Sequence, residues 1–156
     1  MRLLQAFSCA MLAFLISGLP VAAQDRAPQG SASYMPSLAD MMAVVQLRHA
    51  KIWYAANLRN WLLADYELRQ LKASLKETTR LYPNMPSSDM TSLEKVAVTI
   101  DESIKARNAV RFEKAFAELT NECNNCHQAA DRAFIVVRKP IFPSPFSNQV
   151  FAPAKR

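Results

Sequence analysis

Four stretches of this chain repeat apolar residues at steps of three and four, and this periodicity constrains the fold more than any other feature. Such spacing places the apolar side chains along one face of an α-helix. Only two glycines occur in the 156 residues, which disfavours a turn-rich β architecture. The four stripes are Leu38, Met42, Val45, His49, Ile52 and Ala56; Trp61, Ala64, Leu68, Leu71, Leu75, Thr78 and Tyr82; Leu93, Val96, Ile100 and Ile104; and Phe112, Phe116, Leu119, Cys123, Cys126, Ala130 and Phe134.

Residues that favour helix N-termini precede each stripe. Ser37 and Asn60 are N-cap types, Asn108 precedes the last stripe, and Thr91-Ser92-Leu93-Glu94 matches a capping box. Four amphipathic helices with short connections predict an all-α fold, an up-down-up-down four-helix bundle over residues 37–134. Most charged residues of the second helix, Glu67 included, fall off its stripe, which predicts that they face solvent.

The residues after the bundle predict an extended C-terminal tail. Residues 135–156 contain Pro140, Pro143, Pro145 and Pro153, which exclude a regular helix. The same segment carries large apolar side chains, which predict a strap that packs on the bundle rather than a free tail. These are Ile141, Phe142, Phe146 and Phe151.

The start of the chain has the features of an export signal. Arg2 supplies a positive charge, residues 3–16 an apolar core, and Val21-Ala22-Ala23 a small-residue cleavage site. The apolar run is short and interrupted for a bilayer span, so we expect residues 1–23 to be a signal peptide and the mature chain to have no membrane span. The composition of residues 24–36 predicts a flexible lead-in. The mature chain of about 130 residues has the size of one domain.

Cys123-Asn124-Asn125-Cys126-His127, late in the fourth helix, is the motif that carries chemistry. This spacing is typical of covalent attachment of a c-type haem, with a thioether from each cysteine and the histidine as proximal iron ligand. On a helix the three side chains share one side. A redox Cys-x-x-Cys would instead follow a strand at a helix N-terminus, and zinc would need more ligands than His49 can supply. We therefore expect one covalent haem c.

With the motif at this position, the chain resembles the class II c-type cytochromes, the cytochrome c-prime-like four-helix family, from Ser37 to about Phe134. The resemblance implies an exported haem protein built on a four-helix bundle. Two features depart from the family pattern. The chain continues for some twenty residues past Phe134, and the first helix carries His49.

The residue opposite His127 decides what such an iron can do. If the fourth helix ends near Ala133 and the first runs antiparallel to it, Met42 lies close to the level of His127, and His49 lies about 10 Å further along. Met42 is therefore the predicted distal ligand and His49 the alternative. An apolar side chain such as Val45 over the iron would leave a site for small gases. The other alternative is that Met42 only packs in the core and does not bind iron.

The predicted function is a periplasmic carrier that moves single electrons between redox partners and is not an enzyme. A five-coordinate gas-binding haem protein and a haem subunit of a larger redox complex are the alternatives. The formal charge of +6 predicts a redox partner with an acidic face. A periplasmic location argues against nucleic acid, and a homodimer is left open.

Overall fold

The computed structural model describes residues 34–85 and 87–154, with side chains from 90 onward in the third helix. The signal peptide and most of the lead-in lie outside these residues. The four helices are α1 (Leu38–Asn57), α2 (Trp61–Leu81), α3 (Ser87–Lys105) and α4 (Ala109–Ala129). The described part of the chain contains no strand. The prediction of an all-α four-helix fold is confirmed.

Hydrogen bonds confirm the predicted N-caps Ser37 and Asn60, and they show the same role for Asn108. The Ser37 side chain accepts from the Asp40 N–H at 3.1 Å. Asn60 and Asn108 repeat this contact at the starts of α2 and α4, each accepting from the N–H three residues later. These bonds satisfy backbone donors that the first helical turn leaves without partners.

The predicted start of α3 is wrong, because the helix begins at Ser87 rather than at Thr91. Proline is well tolerated immediately before or at a helix start, and Pro86 immediately precedes Ser87 in the sequence.

The chain leaves α1, α3 and α4 through the same kind of turn. Arg59, Arg107 and Asp131 each adopt a left-handed conformation, with φ of 62°, 51° and 55°. After α4, the Asp131 N–H bonds to Gln128 O and the Arg132 N–H bonds to His127 O at 2.7 Å. This pair of bonds is the Schellman motif, which ends a helix and redirects the chain.

The apolar stripes form the core, with α1 packed on α2, α3 on α4, and further contacts of α2 with α3 and of α1 with α4. Two sequence-based expectations are wrong. Glu67 is buried and paired with Arg48 rather than facing solvent. Phe134 is 78% exposed, because α4 ends at Ala129 and the residue no longer belongs to a helical face.

The tail lies along the bundle as a strap. The Asn124 side chain bonds to the backbone of Val137, and Lys139 pairs with Glu113 of α4 at 3.0 Å. The Tyr54 hydroxyl donates to Ile141 O at 2.6 Å. Further along, the Tyr54 ring contacts the rings of Phe142, Phe146 and Phe151, and Phe151 is buried in the core.

No helix in the described ranges is both long and apolar enough to cross a membrane.

Candidate haem site

The motif residues lie in the last turns of α4 and face a common cavity. Cys123, Cys126 and His127 all line it, as the i, i+3 and i+4 spacing on a helix predicts. The cavity also takes residues from the first turns of α1 and α3 and from the second half of α2.

The cavity has a volume of about 390 Å³ and a predominantly apolar lining. Its size falls within the range of small-molecule and cofactor pockets. The other lining residues are Leu38, Ala39, Met42, Val45, Gln46 and His49 of α1; Leu75; Met85; Met90 and Leu93; and Ala130, Arg132, Ile135 and Val137 after the motif.

Both motif cysteines are thiols rather than a disulfide. Burial raises the pKa of Cys123 to about 12, and the neighbouring Cys126 and Glu122 act in the same direction. A thiol that stays protonated near neutral pH is a poor nucleophile for disulfide exchange. The redox-disulfide interpretation of Cys-x-x-Cys therefore fits this environment badly.

His127 is held by a backbone carbonyl of the strap. Its Nδ1 lies 2.8 Å from Ile135 O. A carbonyl oxygen can only accept, so the proton of the neutral ring is on Nδ1 and the lone pair is on Nε2. Metal-ligating histidines commonly use one ring N–H in this way, because the bond fixes the tautomer and the ring orientation. The half-buried ring thus presents Nε2 as its ligand atom.

His49 is locked into a different hydrogen bond. The Thr120 hydroxyl donates to Phe116 O at 2.9 Å, so it accepts from His49 Nε2, also at 2.9 Å. The ring packs on Phe116 at a centroid distance of 4.4 Å, and the residue is 2% exposed. Burial lowers the pKa of His49 to about 4, so the ring is neutral near pH 7. Ligation through Nε2 would require breaking the bond to Thr120.

Met42 is half-buried and lines the cavity. It was predicted as the distal ligand because it would lie at the height of His127 if the fourth helix ended near Ala133. This assumption is wrong, because α4 ends at Ala129. Met85 and Met90 line the same cavity and were not considered as ligands. The three-residue step from Leu93 back to Met90 extends the α3 stripe, and this signal could have indicated Met90.

Two basic side chains of α1, Arg48 and Lys51, have partners elsewhere and do not line the cavity. Arg48 donates to Glu67 at 2.7 Å, and the Lys51 ammonium lies 5.8 Å from the centre of the Phe146 ring. Arg132 lines the cavity instead, directly after the turn that ends α4. Sequence reasoning missed Arg132 because the turn at Asp131 decides where it lies.

A bare metal ion has no evident site in residues 34–85 and 87–154, where no group of three or more His, Cys, Asp or Glu side chains could hold one. A haem iron does not need such a group, since the macrocycle supplies four ligands and the protein one or two. Two thiols, one oriented imidazole and an apolar cavity fit a covalently attached haem.

No family model, curated protein or solved structure matches this chain.

Proposed function

We propose that this protein is a periplasmic mono-haem c-type cytochrome that transfers single electrons between redox partners. One observation carries the proposal. Cys123, Cys126 and His127 line the same apolar cavity, and the bond from His127 Nδ1 to Ile135 O leaves Nε2 as the ligand atom.

Each motif residue has a distinct role in this proposal. The Cys123 and Cys126 thiols would each add S–H across one vinyl group of a haem, which forms a thioether and needs no external oxidant. His127 Nε2 would ligate the iron. The bound haem supplies an iron that gains and loses one electron, with a potential set by its axial ligands and surroundings.

The cavity suits electron transfer better than substrate conversion. Its predominantly apolar lining would lower the local dielectric around a bound haem, which influences the reduction potential. His49, the second histidine, is a poor proton acceptor near neutral pH because its pKa is lowered to about 4 and its Nε2 is bonded to Thr120. The net charge, +6 for the full sequence, stays positive when a signal peptide that contains only Arg2 as a charged residue is removed, and it favours association with an acidic face of a redox partner.

A five-coordinate gas-binding haem protein is the second candidate, and the bond from His49 to Thr120 favours it. That bond occupies the histidine atom that most readily ligates iron. The thioether of Met42, or of Met85 or Met90, is then needed to fill the distal position. If none does, the apolar cavity leaves room for a small gas.

Haem attachment is tested by mass spectrometry of the protein recovered from the periplasm. We expect the chain from Gln24 plus one covalent haem. Replacing Cys123 and Cys126 with Ala should abolish the covalent link. An unmodified mass in the wild type, or a chain that retains residues 1–23, would contradict the proposal.

The two candidate functions are separated by the spectrum of the haem-loaded protein and by carbon monoxide. An electron carrier with Met42 as ligand should be low-spin and resist carbon monoxide, and Met42→Ala should make it high-spin and reactive. Met41→Ala is the matched control, since the neighbouring Met41 is half-buried but does not line the cavity. Met85→Ala and Met90→Ala test the other two thioethers. A high-spin wild type that binds carbon monoxide readily would favour gas binding.

A further inference from the structure

Asn124, the residue after the first motif cysteine, binds the strap through both ends of its amide. Asn124 Oδ1 accepts from the Val137 N–H at 2.8 Å, and Asn124 Nδ2 donates to Val137 O at 2.9 Å. Both backbone groups of one strap residue are therefore satisfied by one side chain of α4. An Asn side chain can do this because its amide carries a donor and an acceptor together.

The same short stretch of strap supplies the acceptor for His127. Ile135, whose carbonyl accepts from His127 Nδ1 at 2.8 Å, lies two residues before Val137. The turn at Asp131 fixes where the stretch begins, through the 2.7 Å bond from the Arg132 N–H to His127 O. The position of the Ile135 carbonyl is thus determined on one side by the end of α4 and on the other by Asn124.

We propose that Asn124 is a positioning residue for the proximal ligand His127. By holding Val137 it keeps the Ile135 carbonyl against His127 Nδ1, which fixes the ring orientation and keeps the lone pair on Nε2. The part of this inference that concerns the iron rests on the proposed function. A hydrogen bond at Nδ1 makes Nε2 a stronger electron donor, which stabilises the oxidised iron and lowers the reduction potential.

Asn125 provides a matched control inside the same motif. It is exposed, and its side chain donates to Glu122 on its own helix at 3.4 Å rather than to the strap. Asn124→Ala and Asn125→Ala make the same chemical change between the two motif cysteines. Asn124→Asp keeps the acceptor for the Val137 N–H but replaces the donor with an oxygen that repels the Val137 carbonyl.

The test uses the haem-loaded full chain and three readouts: hydrogen exchange of the Val137 N–H, solvent exchange of the His127 Nδ1 proton by NMR, and the midpoint potential. In Asn124→Ala we expect both protons to exchange roughly five- to tenfold faster, as the loss of one hydrogen bond implies. We also expect the midpoint potential to become more positive. Asn124→Asp should also speed both exchanges, because it loses the donor to Val137 O, and Asn125→Ala should leave all three readouts unchanged.

Faster exchange at Val137 alone, with the His127 proton and the potential unchanged, would overturn the proposal, because Asn124 would then only secure the strap. Equal changes in Asn124→Ala and Asn125→Ala would also overturn it. If the exported wild type carries no haem, the proposed function fails instead. The two exchange measurements on the purified full chain then still decide whether Asn124 positions His127.

Discussion

His49 is a histidine that remains neutral inside the folded protein. It is 2% exposed, and desolvation lowers its pKa from 6.5 to about 4. Well above pH 6.5 neither the folded nor the unfolded chain protonates this ring, so the free energy of unfolding does not vary with pH through His49. Between pH 6.5 and 4 the unfolded chain binds a proton that the folded chain excludes, so stability falls as the pH falls.

We expect the free energy of unfolding to drop by about 2 kcal/mol between pH 7 and pH 5 through this residue alone. Denaturant unfolding at several pH values measures the drop. His49→Gln is the control, because an amide can still donate to Thr120 but does not titrate. The free energy of unfolding of the wild type should fall by about 2 kcal/mol more between pH 7 and pH 5 than that of His49→Gln. The same pH dependence in both proteins would contradict the prediction.

The Arg48–Glu67 pair is a second buried polar contact that links two helices. Glu67 is 2% exposed and Arg48 24% exposed, and they meet at 2.7 Å between α1 and α2. Removing one partner of such a pair leaves the other charge poorly solvated, whereas replacing both by apolar side chains removes the desolvation cost as well.

Glu67→Ala should therefore destabilise the protein by about 2 kcal/mol, with the cost reduced because Arg48 reaches solvent. The double variant Arg48→Leu/Glu67→Leu should recover most of that loss. Glu77→Ala on the same helix breaks only an exposed pair with Arg80, and we expect no measurable change. Chemical unfolding of the four proteins tests this, and a double variant weaker than Glu67→Ala would refute it.

At the scale of elements, the turns after α1 and α3 have the same construction. In each, an arginine adopts a left-handed conformation and the next residue is an asparagine that caps the following helix. For a residue with a Cβ the left-handed conformation costs about 1 kcal/mol, a cost that glycine avoids. The asparagine directly follows the residue at which one helix turns off and caps the next helix, which explains why the connections are so short.

Arg107→Gly should stabilise the protein by roughly 0.5 kcal/mol, since glycine relieves the left-handed conformation but adds entropy to the unfolded chain. Arg107→Val should destabilise it, because a β-branched side chain tolerates positive φ least. Arg111, on an exposed position of α4, offers the control Arg111→Ala. Thermal unfolding of the set measures the order, and a glycine variant less stable than the valine variant would exclude this account.

At the scale of the whole molecule, the strap connects the two ends of the bundle. It leaves α4 beside the cavity, where Val137 binds Asn124, and it reaches the turn between α1 and α2, where Asn60 Nδ2 donates to Ala152 O at 3.3 Å. Phe151, near its far end, is 4% exposed and joins the core. The strap therefore contributes both to the core and to the surroundings of His127.

Phe151→Ala should reduce the free energy of unfolding by about 3 kcal/mol, the usual cost of removing a buried aromatic ring. Val150→Ala changes the neighbouring residue, which is 80% exposed, and should shift stability by no more than about 0.5 kcal/mol. Equilibrium unfolding of both variants measures the difference. Equal stability of the two would show that the strap does not anchor through Phe151.

The four helices and the shared face of the three motif residues could be predicted from the sequence by itself, because both depend on local spacing. Apolar steps of three and four select a helical face, and Ser37, Asn60 and Asn108 satisfy N–H groups only three residues away. The i, i+3 and i+4 positions of Cys123, Cys126 and His127 likewise share a side on any helix.

Only the tertiary structure decided what surrounds those residues, because the contacts join different elements rather than positions on one helix. The bonds from His127 to Ile135 and from Asn124 to Val137 depend on the left-handed turn at Asp131, which no periodicity indicates. Glu67 looked solvent-facing until packing placed it against Arg48, nineteen residues earlier. Which methionines line the cavity likewise depends on where α3 begins and α4 ends, because helix ends determine which side chains reach a space between helices.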